Sequence, residues 1–128
     1  MASALDFENM LRNTLLGSTA LTAIVGNKVF PMVMPQGTLL PAVSFQKISG
    51  VPANCLYGPT GLEEITVQID AWAMSLSVVK NMAKAIRAVM PTTGATWGAR
   101  LTMDEDLFDE EAKVYRICMS YDVWFLES

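Results

Sequence analysis

EITVQIDA, residues 64–71, alternates apolar and polar side chains without a break and sets the fold class of this 128-residue chain. Such alternation over eight residues is typical of a β-strand with one buried face and one more polar face. We expect the buried face to carry Ile65, Val67, Ile69 and Ala71. The more polar face should carry Glu64, Thr66, Gln68 and Asp70.

Helical and extended patterns precede this strand. The spacing of apolar residues predicts a helix that ends at Gly17 and a second, short helix from Ser18 to Gly26. Residues 42–49 predict another strand, and the Pro- and Gly-containing residues 51–62 predict a loop.

On the C-terminal side, Ser75 or Ser77 begins a helix. Its predicted buried stripe is Val78, Met82, Ile86 and Val89. A short strand from Arg100 to Met103 then leads into an acidic loop or hairpin tip, and residues 114–125 predict the last strand. This order favours one α+β domain over residues 1–128, with a mainly antiparallel sheet of about four strands packed against two or three helices.

The composition restricts the chemistry available to the chain. It is 52% hydrophobic and 17% charged and contains no histidine, so mechanisms that need a histidine base or ligand are excluded. Cys55 and Cys118 are too few for a four-cysteine zinc site, and we expect both to be reduced thiols. We predict no catalytic, cofactor-binding or metal-binding residues and no enzymatic activity. No apolar run is long enough for a membrane span, and the acidic N-terminal residues are unlike a signal peptide, so we expect assembly in a cytoplasm.

Two groups of charges stand out. Six of the 13 acidic residues lie within residues 104–111, and without them the formal charge of −4 becomes +2. These residues are Asp104, Glu105, Asp106, Asp109, Glu110 and Glu111. They do not fit a calcium loop, because Asp109 stands where that loop requires glycine. Lys80, Lys84 and Arg87 share one face of the predicted helix.

We hypothesise that these groups form a subunit interface, in which the basic face of one copy meets the acidic stretch of the next. A ring needs two different complementary surfaces on each subunit, which opposite charges would supply. Three alternatives stay open at this point. The acidic stretch could be a solvated hairpin tip or could line a DNA channel, and the basic residues could be only the solvated side of a helix.

Four stretches together resemble a known family. ALTAIVGNKVFP (20–31), LPAVSFQKISG (40–50), GPTGLEEITVQIDAWA (58–73) and DLFDEEAKVYRICMSYDVWF (106–125) are similar, in order and spacing, to tail completion or tail terminator proteins of long-tailed bacteriophages. Related sequences occur in prophages and gene transfer agents. One departure is Glu110-Glu111-Ala112-Lys113, where the resemblance implies a turn with Gly or Thr.

The resemblance implies a structural virion protein of α+β fold. Such proteins form a hexameric ring that caps the tail tube, ends tube polymerisation and offers the surface for head joining. The implied partners are other copies of the chain, the tail tube protein and a head completion or connector protein, while phage DNA passes without specific binding. The implied location is the head-proximal end of the virion tail.

Two alternatives to this function are kept. One is another head–tail connector, such as a head-side adaptor, or a minor tail subunit. The other is a small enzyme that uses only carboxylates, with Asp70, Asp122 or the acidic stretch as candidates.

Overall fold

Helices cover one face of a five-stranded sheet in the computed structural model, which describes residues 4–32, 34–52, 62–90 and 97–126. The helices in these ranges are α1 (Ala4–Leu16), α2 (Thr19–Val25) and α3 (Leu76–Val89). The strands are β1 (Val29–Pro31), β2 (Ala42–Pro52), β3 (Leu62–Ala73), β4 (Trp97–Asp109) and β5 (Val114–Leu126). None of these helices has the length and apolar character that crossing a membrane requires.

The strand order is β1-β2-β3-β5-β4, and every pairing except β1 with β2 is antiparallel. The predicted α+β fold with a mainly antiparallel sheet is therefore confirmed. The fifth strand is β1, where the sequence predicts a short extended segment at Val29-Phe30 but not its place in the sheet; Val29 pairs in parallel with Val43. It ends after Pro31, because Met32, whose N–H still donates to Phe45 O, adopts a left-handed conformation with φ of 68° that does not continue a strand.

The alternation in β3 places side chains as predicted. Ile65, Val67, Ile69 and Ala71 are all at most 3% exposed. In β5, Ile117, Met119, Tyr121 and Val123 are buried on the same face of the sheet. We call this face, which the helices cover, the core face, and the opposite one the outer face.

The helices end as predicted, but α3 is rotated from the expected position. Gly17 follows α1, and Gly26, with φ of 65°, closes α2 behind the N-cap Ser18. In α3 the buried residues are Val79, Met82, Ala83, Ala85 and Ile86. Val78 and Val89, which the sequence placed in the stripe, are only half-buried. The alanines explain the rotation, because their small side chains let the helix lie close to the sheet.

The predicted end of β2 at residue 49 is wrong. After a bulge between Lys47 and Ser49 the pairing resumes, and it continues to Pro52, which lies opposite Glu63. Because β1 does not pair beyond Phe45, no strand among the described residues flanks this part of β2 on its other side, where proline is tolerated. Of the predicted loop 51–62, residues 53–61 lie outside the described residues.

The assignment of residues 104–109 to a loop is also wrong. These residues belong to β4, which is 13 residues long and pairs with β5 as far as Asp109 opposite Val114. Strands are depleted in acidic residues, which is why the sequence misled here. At the edge of a sheet, however, charges are favourable because they prevent pairing with the edge of another molecule.

Only residues 110–113 form the turn of this hairpin. Asp109 Oδ1 accepts hydrogen bonds from the backbone N–H groups of Glu111 and Ala112, at 3.0 and 3.1 Å. Lys113 adopts the left-handed conformation with φ of 58°. An Asp side chain that binds the backbone two and three residues ahead thus supports a turn without Gly or Thr.

The register of β3 yields a stability prediction. Val67→Asp would bury a carboxylate without a partner, so we expect the free energy of unfolding to fall by at least about 3 kcal/mol. Val67→Ile keeps the site apolar and should cost less than about 1.5 kcal/mol. Urea unfolding of both variants measures this, and equal stability of Val67→Asp and the parent would show that the register is wrong.

Candidate functional site

The two charged groups of the predicted interface lie side by side within one chain. Asp104 and Asp106 are on the core face of β4, next to α3, since they pair with the buried Met119 and Ile117. Lys80 Nζ forms a salt bridge with Asp106 Oδ2. Arg87 Nη1 lies 3.7 Å from Asp104 Oδ2.

Both ion pairs lie at the solvent-exposed surface. The four side chains are 41–54% exposed, so each pair contributes about 0–1 kcal/mol to stability. Within one subunit, two carboxylates and two cations of the proposed interface thus already neutralise one another in part. The contact between subunits stays a prediction.

The remaining predicted interface residues divide between the two faces of the subunit. Lys84 is exposed on α3, and no carboxylate of the described residues lies within 4.0 Å of it. Glu105 points to the outer face, because it pairs with Cys118 next to Asp70. Asp109, Glu110 and Glu111 are exposed at the turn of the hairpin. Lys84 and Glu105 therefore lie on opposite sides of the subunit.

A buried polar cluster occupies the outer face, where β2, β3 and β5 adjoin. Asp70 is only 6% exposed, although the sequence placed it on the more polar face. Arg116 Nη2 donates to Asp70 Oδ2 at 3.1 Å, and Gln68 Nε2 donates to both carboxylate oxygens at 3.2 and 3.1 Å. The cluster thus compensates the buried negative charge with one cation and an amide.

Trp72 extends this cluster. The Arg116 guanidinium lies 4.7 Å from the centroid of the Trp72 ring, a cation–π distance. Trp72 Nε1 donates to the buried Ser44 Oγ at 3.0 Å. On sequence grounds Asp70 is a residue of the more polar strand face and a possible enzyme residue, and nothing in the pattern identifies Arg116 as its partner. One sequence signal could have identified this cluster. Asp and Trp stand at alternate positions of β3, and Arg and Cys at alternate positions of β5, so each pair shares one face of its strand.

Cys118 lies next to this cluster and is buried. Burial, followed by the charge of Asp70 and a hydrogen bond to it, raises the pKa of the Cys118 thiol to about 11. At neutral pH Cys118 is therefore protonated, a poor nucleophile and a poor metal ligand. It is not in a disulfide, in agreement with the predicted free thiol, whereas Cys55 lies outside the described residues. Burial likewise raises the pKa of Tyr121.

A groove of about 490 Å³ opens beside the cluster. One wall is the segment 34–40, and the other is the end of the β4–β5 hairpin. We call residues 104–115 of this hairpin the arm. Trp72 and Arg116 contribute to its lining between these walls. Leu107 and Phe108 of the arm line it while remaining 38% and 45% exposed. The lining is thus largely apolar, with Asp109 and Arg116 as its charged members.

Within the four described ranges, no three His, Cys, Asp or Glu residues are grouped so that they could hold a metal ion. The acidic stretch is instead spread along a strand, with alternate carboxylates on opposite faces.

Comparison with known proteins assigns the chain to a family of phage proteins. Residues 9–126 match the model of a family described as Tail completion protein gp17, so the chain belongs to that family. Its fold is also similar to a chain in the structure titled "Virion of native gene transfer agent (GTA) particle", with a TM-score of 0.68. The two chains are 18% identical, and the match covers 91% of each. A search of curated protein sequences finds no significant match.

The resemblance inferred from the sequence is thereby confirmed at the level of the family. The chain is a phage tail structural protein.

The buried ion pair yields a second prediction. Arg116→Met leaves the Asp70 carboxylate buried with only the Gln68 amide and the Cys118 thiol, among the described residues, as side-chain donors, and we expect a loss of about 3 kcal/mol in unfolding free energy. Adding Asp70→Asn should recover part of this loss, because a neutral amide tolerates burial better than an unpaired carboxylate. Urea unfolding of the parent, both single variants and the double variant gives the coupling energy.

A matched control is Arg100→Met, which breaks the exposed pair of Arg100 and Asp122. It should cost less than about 1 kcal/mol. A coupling energy of zero between Asp70 and Arg116 would contradict the role assigned to the cluster.

The Cys118 thiol yields a third prediction. Because its pKa is raised to about 11 from an ordinary value of 9.0, its contribution to stability is complete below pH 9 and is lost as the pH rises to 11. The stability lost in this way between pH 9 and pH 11 amounts to about 2 kcal/mol. Between pH 9 and pH 11 the free energy of unfolding should therefore fall less in Cys118→Ala than in the parent. Parallel pH profiles of the two proteins would contradict the prediction.

Proposed function

We propose that the protein caps the phage tail tube as a closed ring of identical subunits, ends tube polymerisation and provides the surface that joins tail to head. The observation that carries this proposal is the family match over residues 9–126. The ring size expected from the family resemblance is six. The proposed partners are other copies of the chain, the tail tube protein and a head completion or connector protein, at the head-proximal end of the tail.

The surface of the subunit suits a head-to-tail contact. A closed ring with one kind of contact uses two different surfaces of each subunit, whereas a two-fold dimer uses one surface twice. The solvent side of α3 carries Lys80, Lys84 and Arg87, while the outer face carries the groove and, nearby, Glu105 and Asp109. These surfaces differ in shape and in charge and face different directions.

The proposal includes neither catalysis nor specific DNA binding. The chain contains no histidine and has a formal charge of −4, which disfavours tight contact with the phosphates of a passing duplex. The Asp70 carboxylate, an enzyme candidate on sequence grounds, instead serves as the acceptor of Arg116 and Gln68. Assembly in the host cytoplasm is part of the proposal.

The test is deletion of the gene from the phage that encodes this protein, with complementation by a plasmid copy. Electron microscopy should show overlong tails without heads in its absence and tails of normal length, joined to heads, when the plasmid is present. Purified protein mixed with bare tail tubes should bind at one end as a ring, measured by mass. Binding to head particles and not to tubes would contradict tube capping and favour a head-side adaptor.

Replacement of Lys80, Lys84 and Arg87 together by Glu should abolish complementation if α3 contributes to the ring. Because Lys80 and Arg87 also contact Asp106 and Asp104 of the same chain, unfolding of the triple variant must be measured alongside. A stable triple variant that complements fully would show that the basic side of α3 is only solvated.

A further inference from the structure

Exposed apolar side chains gather at one end of the sheet. This end is formed by the start of β2 and β5 and the end of β3 and β4. Met74 and Leu76, which follow β3, are 59% and 50% exposed, and the adjoining Leu107 and Phe108 are 38% and 45% exposed. Leu39, between two residues that line the groove, is 80% exposed. Clustered exposed apolar groups beside a groove mark an interaction surface.

Carboxylates border this apolar surface on its outer side. Glu105 lies two residues before Leu107 on the same face of β4, and Asp109 lines the groove itself. Glu110 and Glu111 follow at the exposed turn, where Lys113 is the one cation. A partner that fits this surface must therefore present small side chains, which permit close approach to the groove, together with a positive charge.

The chain itself carries such a surface on α3. Asn81, Lys84 and Ala88 are exposed and recur at helical spacing, so they form one stripe along the solvent side of the helix. The small Ala88 permits close approach. Lys84 supplies a positive charge, and none of the carboxylates whose side chains the structure describes lies within 4.0 Å of it.

We infer that the groove between segment 34–40 and the arm receives the solvent side of α3 from a second copy of the chain. Lys84 of that copy then lies against Glu105 and the acidic turn, while Leu107, on the same outer face as Glu105, supplies the apolar contact. This assignment rests on the proposed ring and specifies which surfaces join its subunits. It replaces Asp104 and Asp106, already paired within the chain, by Glu105 and the turn as the acids that face the neighbour.

Charge complementarity within the chain selects a second copy as the occupant. The groove is on the outer face and α3 is on the core face, so one subunit cannot fill its own groove with its own helix. The contact is therefore heterologous and repeats until a ring closes. The apolar part provides most of the affinity, and the charges set partner choice and register.

Charge reversal in two separate proteins tests this contact. Lys84→Glu and Glu105→Lys should each weaken ring assembly on bare tail tubes on the order of tenfold. An equimolar mixture of the two variants should assemble like the parent, because each altered helix can then meet an altered arm of the other variant. Lys47→Glu, the same charge change at an exposed site on β2, is the control and should assemble normally.

An apolar substitution tests the groove itself. Leu107→Glu should weaken assembly on the order of thirtyfold or more, as expected at the centre of an interface. The control is Ile48→Glu, because Ile48 is 51% exposed on β2, away from the groove. Bound mass per tube end and thermal unfolding are measured for every variant.

The outcomes separate the two proposals. Rescue in the mixture together with loss in Leu107→Glu supports the contact. If Lys84→Glu, Glu105→Lys and Leu107→Glu all assemble like the parent, the proposed contact is wrong, but the proposal of a ring is not affected. If Leu107→Glu no longer binds tubes but the mixture shows no rescue, the tube protein occupies the groove and the inference is overturned. If the parent itself forms no ring on tubes, the ring and the contact both fail.

Discussion

The antiparallel pairing of β3 with β5 is the constraint on which the rest of the structure depends. It runs without a shift from Leu62 opposite Leu126 to Ala73 opposite Tyr115. Because the register is continuous, one face of both strands is apolar and supports the helices, while the other brings Asp70 next to Arg116 and Trp72. A slip of one residue would expose the core residues of β3 and bury its polar ones. The same pairing positions β5 to carry β4, and with it the arm and the groove.

Part of this architecture could be predicted from local sequence. The alternation in β3 and β5 and the glycines after α1 and α2 report short-range preferences, and these elements are found where they were expected. The extent of β4 could not be predicted in this way, because its carboxylates are tolerated through pairing with β5 and through contacts with Lys80 and Arg87. These contacts join residues that are distant in sequence. Asp70 and Arg116 are likewise separated by 46 residues, and only the register of the sheet brings them together.

The distribution of charge has a consequence for assembly. Exposed ion pairs are individually weak, so the pairs between α3 and β4 cannot hold the arm rigidly, and a single salt bridge between copies cannot hold a ring. In the proposed ring, a contact of modest affinity would keep subunits apart in solution and let them associate where the tube presents several copies side by side. Multivalent binding of this kind converts weak contacts into a stable assembly. The free-energy cost of exposing Leu107, Phe108 and Met74 on the single subunit is consistent with surfaces that are covered in the virion.

The most direct measurement is a cryo-electron microscopy map of the head–tail joint of the phage, at a resolution that shows side chains. The proposed account predicts a closed ring of this chain at the head-proximal end of the tail tube, in which α3 of each copy lies in the groove beside the arm of the next. A ring joined through other surfaces would contradict the assigned contact. The absence of this chain from the end of the tube would contradict the proposed function.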